Sequence, residues 1–127
     1  MRLNHETVRE VLLYLEDNLQ LNDELDAANI QIPEVTTEEI IYTLEKLLEA
    51  SFISARIEKP INNFPVSAVV YSITWKGHEF IDNIRDEQVW KYAKKSLSRF
   101  STVSISFISS VAAEVISSMI KQTIKAI

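Results

Sequence analysis

The first residues that could do chemistry are the two histidines. His78 and Asp82 stand four apart, a spacing that can place two ligands on one helical face for a metal ion. No third ligand accompanies them, and Glu79 points elsewhere on the helical wheel. The expectation is no metal site, with His78 satisfied by hydrogen bonds. His5, beside Glu6, reads as a capping or surface residue. Carboxylate pairs occur at Asp23-Glu24, Glu38-Glu39 and Asp86-Glu87. Acid–base catalysis needs carboxylates in a cleft that splits their pKa values, whereas adjacent acids at solvated helix starts only favour the helix dipole. The serines have no histidine partner in a nucleophile motif. With no cysteine, thiol nucleophiles, disulfides and cysteine-ligated zinc are excluded. With one glycine, a glycine-rich phosphate loop is excluded too. The chain is expected to be no enzyme and to carry no cofactor.

At 127 residues, 46% hydrophobic and 24% charged, the chain has the size and balance of one globular domain. The net charge of −5 hides an asymmetry. Residues 1–55 hold three basic and twelve acidic groups, and residues 56–127 hold ten basic and six acidic ones. An acidic front half disfavours contact with phosphates. The segment Met1-Arg2-Leu3-Asn4-His5-Glu6 has no apolar secretory core, which makes the cytoplasm the expected compartment.

The elements that must position these groups follow from periodicity. Residues 4–20 predict a helix capped by Asn4, with Val8, Val11, Leu12, Leu15 and Leu19 on one stripe. Ile30-Gln31-Ile32 alternates like a very short strand ended by Pro33. Thr36-Thr37-Glu38-Glu39 is a capping box opening a helix over 36–49, which buries Ile40, Ile41, Leu44, Leu47 and Leu48. Phe52-Ile53-Ser54-Ala55-Arg56-Ile57 and Val69-Val70-Tyr71-Ser72-Ile73 read as two strands of a hairpin. Its tip holds Pro60, Asn62-Asn63 and Pro65. Thr74 caps the next helix by reaching the Gly77 amide, and that helix is expected to run to about Leu97. Gly77 allows close backbone packing against a neighbour. Residues 101–127, with seven serines, form a last amphipathic helix.

The order resembles that of winged-helix domains. Ile41-Tyr42-Thr43-Leu44-Glu45-Lys46-Leu47-Leu48-Glu49-Ala50-Ser51-Phe52-Ile53 is similar to their third helix and following strand. Tyr71-Ser72-Ile73-Thr74-Trp75-Lys76-Gly77-His78-Glu79-Phe80-Ile81 is similar to their last wing strand and closing helix. One conventional helix is shortened or lost between residues 21 and 35. Such domains usually carry glycine where this chain has Ser51. A left-handed serine costs roughly 1 kcal/mol, so a different turn is expected there.

A closer resemblance rests on Asn4-His5, Val11-Leu12-Leu13-Tyr14-Leu15-Glu16 and Glu39-Ile40-Ile41-Tyr42-Thr43-Leu44. Its most specific motif is Ser72-Ile73-Thr74-Trp75-Lys76-Gly77-His78-Glu79-Phe80-Ile81-Asp82-Asn83-Ile84-Arg85-Asp86, followed by Val89-Trp90. Over roughly residues 2–95 the chain resembles the prophage-associated family called domain of unknown function 2513. The resemblance implies a small phage or prophage protein of Gram-positive bacteria and no established activity. The expected fold class is therefore α+β, mainly helical. It comprises a winged-helix-like domain over 1–98 with a β-hairpin wing, then a long C-terminal amphipathic helix over 99–127.

Three candidate surfaces follow. Ile105, Ile108, Ala112, Val115, Ile116, Met119 and Ile127, with Thr123, form an apolar stripe expected to pack copies of the chain into a dimer or tetramer. Ser110, Glu114, Ser117, Ser118, Lys121 and Lys125 make its polar back, which argues against membrane insertion. Glu38, Glu39, Glu45 and Glu49 stud the helix that would read a major groove, and the polyanionic duplex should repel that face. That face is expected to meet a host or phage protein. Arg56, Lys59, Lys91, Lys94, Lys95 and Arg99 are the residues that could track a phosphate backbone. They carry the alternative of an oligomeric winged-helix transcription regulator bound to DNA. The leading expectation is a non-catalytic phage module that binds protein and self-associates.

Overall fold

The computed structural model describes residues 1–59, 66–100 and 102–126, with the backbone alone of Ala126. The expected wing tip, with Pro60, Asn62-Asn63 and Pro65, and the expected interface residue Ile127 lie outside the described residues. The fold is α+β and mainly helical, with one three-stranded antiparallel sheet. It divides into two compact units, Met1–His78 and Glu79–Ile127.

In the first unit, α1 (His5–Asn18) starts where Asn4 Oδ1 accepts the Glu6 and Thr7 amides, as its capping position predicts. Val8, Val11, Leu12 and Leu15 are buried, while Leu19 at its end is half-buried. α2 (Thr37–Glu49) starts where Thr36 Oγ1 accepts the Glu39 amide, and it buries Ile40, Thr43, Leu44 and Leu47, whereas Ile41 and Leu48, expected to be buried, are half-buried. Acids in its first turn and Lys46 in its last suit the helix dipole.

Three expectations are corrected. The short strand β1 is Leu25–Asp26, not residues 30–32. Asp26 then accepts the Ala28 amide and opens a single 3-10 turn, Ala27–Asn29. Ile30 and Ile32 are buried as anchors of irregular chain, so their alternation reflects burial without a strand partner. Ser51 does adopt the left-handed conformation, at φ 66°. Its amide donates to the Leu48 carbonyl and the Phe52 amide to that of Leu47, the bond pair of a Schellman cap. The long helix expected to reach Leu97 is broken in two: α3 (Trp75–Ile84) and α4 (Glu87–Ser96). Asp86 breaks it by taking extended backbone and accepting the Val89 amide, so a side-chain cap replaces helix continuation.

β2 (Ile53–Glu58) and β3 (Ser67–Ile73) form the hairpin, and β3 lies between β1 and β2. The register passes from Ser54↔Ser72 to Ala55↔Val70, so Tyr71 is the extra residue of a bulge. Beyond it, Gly77 of α3 packs on Phe52. A Cβ there would collide with the Phe52 carbonyl oxygen and lie 2.8 Å from Ile73 Cγ2. The close packing expected of this glycine is thus backbone against backbone.

In the second unit, Val89, Trp90 and Ala93 of α4 and Ile108 and Ala112 of α5 (Ile105–Ala126) are buried where these two helices pack together. Asn83 Nδ2 donates to Ser109 Oγ at 3.3 Å.

Candidate interaction surfaces

The acidic helix face is real as a surface. Glu38, Glu39 and Glu49 are exposed, and Glu49 pairs with Lys46 at 2.9 Å. Glu45 differs. Its Oε1 accepts from Lys59 Nζ at 2.8 Å, which joins a residue expected to face a protein partner to one expected to face phosphate. That hydrogen bond holds the Glu45 carboxyl below the usual carboxylate range, against a partial desolvation that raises it. Lys46 is held above its ordinary value, first by the hydrogen bond from its ammonium to Glu49. Residues 10–45 hold ten acidic side chains and no lysine or arginine.

Two more of the expected phosphate contacts are also engaged by acids. Arg56 meets Glu58 at 3.3 Å, and Lys91 meets Glu87 at 3.2 Å. Lys94 lies over the Trp90 ring and Arg99 over that of Phe100, at 5.7 and 5.1 Å from their centroids. Lys91, Lys95 and Arg99 are exposed.

The apolar stripe of α5 is split. Ile108 and Ala112 are spent on α4, and Ile105, Val115 and Ile116 are half-buried. Met119 is exposed, together with Ile120 and Ile124, which lie beside the expected stripe. Ridge and hollow adjoin here. One hollow of about 480 Å³ is walled by Val89, Tyr92, Val115 and Met119, and another of about 440 Å³ by Val89, Ile116, Met119, Ile120 and Ile124.

A cleft that sequence reasoning missed lies in the first unit. It measures about 260 Å³ and is lined by Leu19 and Leu21 after α1 and by Tyr71 and Ile73 of β3, with Glu16 and His78 among its polar walls. The signal for it was weak: Leu21 stands in polar chain, and Tyr71 reads as an ordinary strand residue.

Among the described residues, no group of three or more His, Asp or Glu could hold a metal, and Asp82 pairs with Arg85 at 2.8 Å. No helix among them is long and apolar enough to cross a membrane.

Residues 2–104 match the family described as "Hypothetical protein (DUF2513)". The chain belongs to this family. A relative from Haemophilus influenzae, described as an uncharacterized protein, is 30% identical over 101 residues, covering 76% of this chain and 79% of its own. No solved structure matches the chain.

Proposed function

We propose that this DUF2513 protein is a non-catalytic phage or prophage protein of the bacterial cytoplasm that works by binding protein. It self-associates through α5 and meets a host or phage protein through the acidic surface of its first unit. The observation that carries this reading is the bare end of α5. At 22 residues that helix is about 33 Å long, and the ten-residue α4 beside it about 15 Å. α4 cannot cover it, and Met119, Ile120 and Ile124 are left in water. Burying such a side chain is worth roughly 1.5–3 kcal/mol, and a second copy supplies both ridges and hollows to do it.

The first unit supports a winged-helix variant. A helix, a short strand, a helix and a hairpin follow in order, the sheet order is β1-β3-β2, and a 3-10 turn stands where a full helix is usual. DNA reading is disfavoured within this variant. α2 would offer Glu38, Glu39 and Glu49 to the duplex, and Arg56, Lys59 and Lys91 are already engaged by carboxylates.

The test is the molar mass of the whole protein by light scattering across a concentration series. A dimer or tetramer is expected. The double substitution Met119→Glu with Ile120→Glu should reduce it to a monomer of unchanged helical circular dichroism. A wild-type monomer at every concentration would sink the assembly claim.

A further inference from the structure

We propose that α5 pairs with the α5 of a second copy in antiparallel order, along a seam in which isoleucines of one copy lie over small residues of the other. This deepens the self-association proposed above and rests on it, adding the face, the orientation and the register.

Ser106, Ser110, Ala113, Ser117, Ile120 and Ile124 follow one another at alternating spacings of four and three. That is the heptad rhythm along which one helix faces another. The seam lies about a third of a turn round α5 from Ala112, which is buried where α4 packs, so it is a separate face of the helix. Ser106, Ser110 and Ser117 are exposed and Ala113 is half-buried. Ile120 and Ile124 are 54% and 64% exposed. The first half of the seam is therefore small and the second half bulky.

Shape selects the orientation. In parallel order each residue meets its own counterpart. Isoleucine on isoleucine then holds the helices apart at one end, and serine on serine leaves a gap at the other. In antiparallel order, with a two-fold axis level with Ser118 and Met119, Ile120 lies over Ser117 and Ile124 over Ala113, twice each. Each isoleucine fills the space above a small side chain. Beside the seam Ile116 meets Thr123, at the apolar hollow that both help to wall.

Charge selects the same orientation and fixes the register. Glu114 and Lys121 each directly follow a seam residue, which puts them on one flank, and both are exposed. Among the described residues neither is ion-paired. Like flanks face each other in an antiparallel pair, and unlike flanks in a parallel one. The antiparallel pair sets Glu114 against Lys121 of the second copy, twice by symmetry. A parallel pair sets Glu114 against Ser109 and Lys121 against Ile116, with no charge matched. Sliding the antiparallel pair by one heptad sets Glu114 against Glu114 or Lys121 against Lys121, and like charges disfavour both.

The chain has no cysteine, so introduced thiols report single contacts. The whole protein is made as Ala113→Cys and as Ile124→Cys, and each is oxidised alone and mixed with the other. A disulfide needs Cα atoms within about 7 Å. Antiparallel pairing brings these two positions together and holds each about 16 Å along the axis from its own counterpart. On non-reducing gels the mixture should give covalent dimer, and each variant alone at least about tenfold less. Glu114→Lys should weaken dimerisation, followed by sedimentation, at least about fivefold, and adding Lys121→Glu should restore it to within about threefold. Covalent dimer from each variant alone rules out the antiparallel order. So does an absence of covalent dimer in a mixture that light scattering shows to be assembled; in both cases self-association stands. A charge swap that fails to restore overturns the register. A wild-type monomer by light scattering overturns the seam and self-association together.

Discussion

The Thr74 hydroxyl donates to the Ser51 carbonyl at 2.6 Å and accepts the Gly77 amide at 3.0 Å. One side chain thereby caps α3 and ties its start to the end of α2. The Thr74 amide adds a bond to the Phe52 carbonyl at 3.0 Å, the same oxygen on which Gly77 packs. The hairpin thus leaves from and returns to a single knot made by residues 51, 52, 74 and 77, which sets where β3 ends.

Ser51→Gly should stabilise the protein by roughly 0.5–1 kcal/mol. Ser51 sits at φ 66°, where a Cβ is unfavourable, and its tie to Thr74 uses a backbone carbonyl that glycine keeps. Its exposed side chain contributes little packing. The midpoint of urea unfolding, with m unchanged, measures the gain.

Gly77→Ala should destabilise by at least about 2 kcal/mol despite alanine's better helix propensity. The new methyl would enter the Phe52 carbonyl oxygen, and backbone has no rotamer with which to yield. Calorimetry should show the loss in melting temperature, and the amide of Thr74 should exchange faster because its bond to Phe52 must lengthen.

Lys59→Met should raise the Glu45 pKa toward its ordinary value, followed by NMR titration of that carboxyl. The hydrogen bond to Lys59 is the main cause of the depression. The sign follows from linkage. A carboxyl lowered by folding adds stability that is present above the unfolded value of about 4.3 and fades as pH falls through the folded one. The variant should therefore trail wild type at neutral pH and match it in strong acid, where Glu45 is protonated in both states.

The helix starts at Asn4 and Thr36 were legible from sequence, because a cap is a local contact between a side chain and amides two or three residues on. So were the hairpin strands, the Thr74 cap and the buried stripes of α1 and α2, whose periodicity repeats within each element. Asp86 was visible as a helix start, but its competition with a continuing apolar pattern was resolved only by folding. β1 could not be placed from its own two residues; β3 selects Leu25 and Asp26 by pairing with them, a choice made between distant segments. Ser51 bears its left-handed strain because cap bonds and the Thr74 tie converge on it. The apolar pattern of α5 showed a face to bury, while the short reach of α4 decided which half is covered within its unit and which stays exposed. Local hydrogen bonds and periodic burial are written along the chain; partnership between segments far apart in sequence is decided by which surfaces fit in three dimensions.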